Sequence, residues 1–203
     1  MAEREAMSAR ACQLAMLSGL RSESVRTLRW FDLYLDHDDG PMAIVAAENM
    51  KATLDRAVEF RFPLSDAAVS LLDSIEDVGV ELVFPFPQRG KDGRDRPLTD
   101  MALLTQFKKA TGDPEATVHG LRATFRTWMQ DQVVSSDVAE TCLQHEINST
   151  SVEARYMRSD ILELRRPVMQ RWGQHLTDSN CGGDTGETDD PDIVSLDTFR
   201  RSG

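Results

Sequence analysis

The spacing of apolar residues changes period along the chain, from helical to two-residue and back, and this limits the fold more than any other feature. Residues 3–17, EREAMSARACQLAML, are good helix formers without Pro or Gly, and the run breaks at Ser18 and Gly19. SESVRTLRW reads as a second short helix with Val25 and Leu28 inward. From Trp30 the period falls to two. WFDLYLD alternates, HDDGP is a turn, MAIVAA is an apolar run, and RAVEFRFPL sets Val58, Phe60 and Phe62 against Glu59 and Arg61. A three-stranded antiparallel meander is predicted. Ser65 and Thr99 cap two further helices on either side of the irregular VFPFPQRGKDGRDRP. Beyond them the chain reads as helix: 119–132, 136–144, a helix bearing Tyr156 with Thr150 and Glu153 as capping box, and a last segment striped by Ile161, Leu164, Val168 and Trp172. Pro167 is expected to kink or restart that last helix. The fold class is α+β, mostly helical with one small sheet.

A length of 203 residues supports one core, or one domain and a tail. The expected division is a domain over 1–176 and a disordered tail over 177–203, where seven acids face two arginines and little apolar area could be buried. No apolar run approaches the ~20 residues of a membrane span, and the charged start MAEREAMSAR does not resemble a signal peptide. Three cysteines without metal or CxxC spacing fit a reducing compartment, so a cytoplasmic protein without membrane partner is expected. The net charge of −11 argues at first against nucleic acid. Five of those negative charges belong to the tail, however, and residues 119–172 balance seven acids with seven arginines. A local basic cleft on an acidic body is compatible with this count.

Arg21 in SGLRSES, Lys51 in ENMKAT, His119 and Arg122 in VHGLRATFRTW, His145 in CLQHE and Tyr156 in VEARYMRSD follow one another along the sequence. These are the groups that phosphoryl transfer to a hydroxyl side chain requires. Arg21 and Arg122 present planar forks of donors that stabilise charge growing on the non-bridging oxygens without a metal or other cofactor. A phenol titrates near ~10, so Tyr156 needs a base and the leaving 5′ oxygen an acid. His119 is placed as the first, and Lys51, in the connection between the second and third strands, as the second. His145 donates a hydrogen bond to the phosphate. On the helix over 119–132, Leu121, Phe125, Trp128 and Met129 form one face, and His119, Arg122, Arg126 and Gln130 the other.

The strings SGLRSESVRTLRW, MKAT, HGLRATFRTWMQD, LQHE and VEARYMRSDILELRRPVMQRW resemble the catalytic domain of tyrosine recombinases, particularly phage and genomic-island integrases, over roughly residues 10–176. The resemblance implies that Tyr156 attacks the scissile phosphate, forms a 3′-phosphotyrosyl link and frees a 5′ hydroxyl. It further implies double-stranded DNA attachment sites as partners and a tetramer on two duplexes, the isolated domain being expected as a monomer. Family members carry upstream modules that grip DNA, so a truncated chain is expected. Three positions depart from the pattern: Ser24 stands where the family has Glu, Gln144 where it has a small residue, and Pro167 interrupts the last helix.

Each residue also has a plainer reading. Tyr156 alone suits a half-buried helix position, Lys51 a solvated loop, His119 and Arg122 a cap with a bound carboxylate, and His145 a surface position. Arg126 fits a DNA contact or a surface ion pair. Arg155, Arg158, Arg165 and Arg166 read as solvated or partner-facing, Cys142 as apolar packing and Tyr34 as sheet packing. Two other functions share the pattern: a type IB topoisomerase, which rotates one duplex, and a catalytically silent DNA-binding or oligomerisation module.

Overall fold

The computed structural model describes residues 2–45, 60–75, 81–144 and 153–178, with the backbone path alone for 2–5 and 153–160. Helix α1 (Ala2–Ser18) ends where the sequence breaks. Gly19 closes it at φ +63°, its N–H donating to Ala15 O at 2.9 Å. A side chain is excluded there twice over, because a Cβ would meet Phe125 Cδ1 at 2.6 Å. Residues 11–20 are all buried, since later helices of the chain surround this one.

Helix α2 (Ser22–Arg26) is shorter than SESVRTLRW suggests. Its continuation is captured by residues 81–83: Val83 N–H donates to Leu28 O and Trp30 N–H to Glu81 O, which closes the Arg29–Leu82 bridge. Trp30–Asp32 then form a 3-10 turn, so β1 (Leu33–Tyr34) has only two residues. With β2 (Met42–Val45) and β3 (Phe60–Pro63) it makes the expected antiparallel meander, Ala43 pairing with both Leu33 and Phe62. Tyr34 is not sheet packing: it is 41% exposed and meets the His37 ring edge-on.

Helix α3 (Asp66–Asp73) is capped by Ser65, whose Oγ accepts from Ala68 N–H at 3.3 Å. The segment from 81 to 99 is irregular, as expected, but it buries Val83, Phe84 and Leu98 and is clasped by a Pro85–Pro97 bridge. Helix α4 (Asp100–Thr111) follows Thr99 and ends at Gly112, φ +68°. Helix α5 (Val118–Asp131) is capped by the Thr117 hydroxyl and packs Leu121, Phe125 and Met129 inward. Helix α6 (Ser136–Cys142) is short, and Cys142 is buried, its thiol pushed up to about 12 chiefly by loss of water, with Arg165 opposing. It behaves as the apolar filler expected.

Helix α7 (Glu153–Asp178) runs through Pro167 as one helix, without the restart that the proline suggested. Pro167 is exposed, so the carbonyl that lacks its N–H can meet water. Trp172 Nε1 donates to Met16 O at 2.8 Å, filling one of the carbonyls that the end of α1 leaves open. Its ring stacks on Phe125 at 4.8 Å. The buried stripe consists of Ile161, Leu162, Arg165, Val168, Met169, Trp172 and Leu176, whereas Leu164 is 56% exposed. Arg165 therefore corrects the solvated reading: it is 3% exposed, its Nη2 donates to Arg61 O at 2.7 Å, and its guanidinium lies 4.9 Å from the Phe60 ring centroid. It fastens α7 to β3. No helix among the described residues is long and apolar enough to cross a membrane. Thr150 and most of the acidic tail lie outside the described residues.

Val133, at the end of α5, adopts φ +55° with 90% of its surface exposed. The turn has both reverse bonds of a helix C-terminus, Val134 N–H to Met129 O and Val133 N–H to Gln130 O. A β-branched residue is strained there, and nothing buried compensates. Val133→Gly is expected to stabilise the fold by about 1 kcal/mol after the greater unfolded-state freedom of Gly is subtracted. Thermal unfolding should show a midpoint about 2–4 °C higher; a lower midpoint would disprove the strain.

Candidate active site

The end of α1, the start of α2, the middle of α5 and the end of α6 meet at one place, and Arg122 joins three of them. Its Nη1 donates to Gly19 O at 2.6 Å and its Nη2 to Leu143 O. Arg122 is only 7% exposed, so it does not share the open face of α5 with His119 and Gln130 as the spacing suggests. Its long side chain is instead drawn into the helix junction by the carbonyls of Gly19 and Leu143. Arg21 stands beside this junction as the N-cap of α2, half-buried, its backbone N–H donating to Gln144 Oε1 at 3.1 Å.

The two guanidiniums sense each other. Burial, and then the charge of Arg21, push Arg122 down to about 10. Burial also lowers Arg21. Both stay protonated at neutral pH, but two like charges with reduced solvation form a site where an anion is stabilising. Sulfate is expected to protect the fold through this pair. At five times its Kd it should add about 1 kcal/mol, or roughly 2–4 °C, beyond the general salting effect that an Arg21→Ala variant retains. Equal increments in the two proteins would exclude anion binding between the arginines.

The other candidates divide into three groups. His119 is exposed on the first turn of α5, one turn before Arg122. Arg126, one turn after it, pairs its Nε with Glu140 Oε1 at 3.1 Å, which leaves its charge engaged within the chain. Lys51 and His145 lie outside the described residues; in sequence, Lys51 falls between β2 and β3, and His145 directly follows Gln144. Tyr156 is on the first turn of α7, where the backbone alone is described. Among the described residues no three His, Cys, Asp or Glu side chains gather into a metal-binding group.

Two residues join the site that sequence reasoning valued only as departures. Ser24 is buried, and its Oγ accepts from Gln144 Nε2 at 3.3 Å. Glu23, the acid next to Ser24 in sequence, is exposed. The signal in the sequence was the coincidence of two unusual residues, one three positions after Arg21 and the other directly before His145.

A mostly helical domain with a small antiparallel meander and two arginines gathered at its centre agrees with what comparison with known proteins finds. The profile of the Phage integrase family matches residues 2–162, and the chain belongs to that family. It is 30% identical over 167 residues to Prophage integrase IntA of Escherichia coli (strain K12), covering 82% of this chain and 38% of that protein. It is 25% identical over 166 residues to the Integrase of Shigella phage Sf6 and 26% identical over 166 residues to Prophage integrase IntS of Escherichia coli (strain K12), in each case covering 82% of this chain and 41% of the relative. The chain thus spans about two fifths of the length of these relatives. No solved structure matches it.

Proposed function

We propose that this chain is the catalytic portion of a site-specific DNA recombinase, an integrase that cleaves and rejoins double-stranded DNA through a 3′-phosphotyrosyl intermediate. The observation that carries the reading is the meeting of Arg21 and Arg122, about a hundred residues apart in sequence, at one buried junction in a member of the Phage integrase family. The integrase names of its relatives support it.

In this mechanism the guanidiniums of Arg21 and Arg122 hold the non-bridging oxygens of one phosphodiester and take up the charge that grows on them during attack. The Tyr156 oxygen attacks phosphorus while His119 accepts its proton. A P–O bond forms to tyrosine as the bond to the 5′ oxygen breaks, and Lys51 supplies the proton to that leaving oxygen. His145 donates a hydrogen bond to the phosphate, and Arg126, once released from Glu140, is available to the DNA backbone. The energy of the broken ester is retained in the phosphotyrosine, so rejoining needs only a new 5′ hydroxyl as nucleophile. Four protomers on two duplexes exchange strands in pairs; away from DNA the domain is a monomer in the cytoplasm, without a cofactor.

The test uses a pool of nicked duplexes with randomised sequence around the nick. Cleavage next to a nick lets the short 5′-hydroxyl fragment diffuse away and traps the protein on the DNA. Recovery of a denaturation-resistant adduct, whose DNA sequence converges to a site, is the expected result. Repeated failure to form any adduct with folded protein would sink the recombinase reading.

A further inference from the structure

Gln144 follows Leu143, the C-cap of α6, in the left-handed region at φ +54°. Glycine is the residue suited to that place, and any other side chain is strained in it. The side chain is nonetheless kept and buried, 3% exposed. Its amide is used at both ends: Oε1 accepts from Arg21 N–H at 3.1 Å, and Nε2 donates to Ser24 Oγ at 3.3 Å. One residue earlier, Leu143 O accepts from Arg122 Nη2. The two-residue turn at 143–144 therefore grips both arginines, one by its guanidinium and the other by its main chain.

We infer that Gln144 is a positioning residue, which fixes the start of α2 against the Arg122 junction through its bridge to Arg21 and Ser24, so that both guanidiniums address the same phosphate. Ser24 and Gln144 act as one unit. Loss of the serine removes the hydroxyl that accepts from the glutamine amide, and loss of the glutamine removes the acceptor of the Arg21 N–H. Glu23 does not fill this role, because its side chain is turned to solvent. The inference rests on the recombinase reading for its consequence in catalysis, but the bridge itself can be measured without DNA.

Gln144→Gly keeps the backbone conformation and removes the amide, while Ser24→Ala removes only the hydroxyl. Both variants, and the two combined, are compared with wild type in single-turnover cleavage of the nicked duplex that wild type traps. Hydrogen exchange of the Arg21 amide is followed in the same proteins. At saturating DNA the cleavage rate is expected to fall about 10–100-fold for Gln144→Gly, the scale of a reacting group held slightly out of place. The DNA concentration giving half the maximal rate should stay within about threefold, because contacts to the rest of the duplex are untouched. Ser24→Ala should lose about 3–10-fold, and the double variant should be no slower than Gln144→Gly, since both changes break one bridge. The Arg21 amide should exchange at least about tenfold faster in Gln144→Gly. An Arg21 amide that exchanges at the wild-type rate overturns the bridge whether or not DNA is cleaved. Undiminished cleavage at saturating DNA, or losses that multiply in the double variant, overturn its positioning role. Failure of wild type to cleave at all falls on the recombinase reading, and the exchange measurement then decides the bridge by itself.

Discussion

Tyr156→Phe is expected to abolish covalent capture of DNA and to leave the fold and its DNA affinity intact. Phenylalanine lacks only the oxygen proposed to form the bond to phosphorus, and a water molecule cannot take its place without losing both position and the stored ester. The fall in adduct formation should be on the order of 10⁴-fold or more, the scale seen when an enzyme loses its nucleophile. Thermal unfolding and salt-dependent binding to the same duplex serve as controls, since phenylalanine keeps the ring and removes only the hydroxyl. If Tyr156→Phe still yields an adduct resistant to denaturation, the nucleophile is another group and the proposed chemistry fails. Lost binding along with lost capture would point to a structural role for the hydroxyl instead.

Arg122→Ala should weaken both chemistry and fold, by separable amounts. The guanidinium supplies Nη donors to Gly19 O and Leu143 O, joining the end of α1 to the end of α6. Alanine strands these two carbonyls in the interior, at a cost of about 1–3 kcal/mol each, less whatever water can enter the space. Unfolding should therefore become easier by about 2–4 kcal/mol. Loss of charge stabilisation in the transition state costs a further ~3 kcal/mol, which is roughly 10²-fold in cleavage rate measured on folded protein. Arg122→Lys restores a charge but not the planar fork, so it should recover little of either property. A cleavage rate equal to wild type in the folded fraction of Arg122→Ala would remove this residue from the site.

These expectations depend on features that were unevenly readable in the chain. The order of helix, meander and helices followed from the change of period. The stop at Gly19 and the cap at Ser65 followed from local chemistry, because a backbone at positive φ and an N-terminal turn lacking acceptors select few residue types. The six candidate residues were legible as a set of reactive groups in order along the chain, and family membership follows from the same strings. The meeting of Arg21 with Arg122 was not, since spacing along a sequence carries no distance in space.

What the sequence determined by itself was thus which segments form which elements and which side chains could do phosphoryl chemistry. The tertiary structure alone decided which of two neighbouring residues is covered. Leu164 is exposed and Arg165 buried although apolarity argues the reverse, because β3 lies on one flank of α7 and offers both a carbonyl and an aromatic ring. Likewise Pro167 fails to break α7, since contacts with α1 and β3 outweigh one missing hydrogen bond. The bridge between Ser24 and Gln144 spans 120 positions of sequence. Only the docking of the turn after α6 on the start of α2 brings the amide to its partners, and no periodicity within either helix encodes that approach.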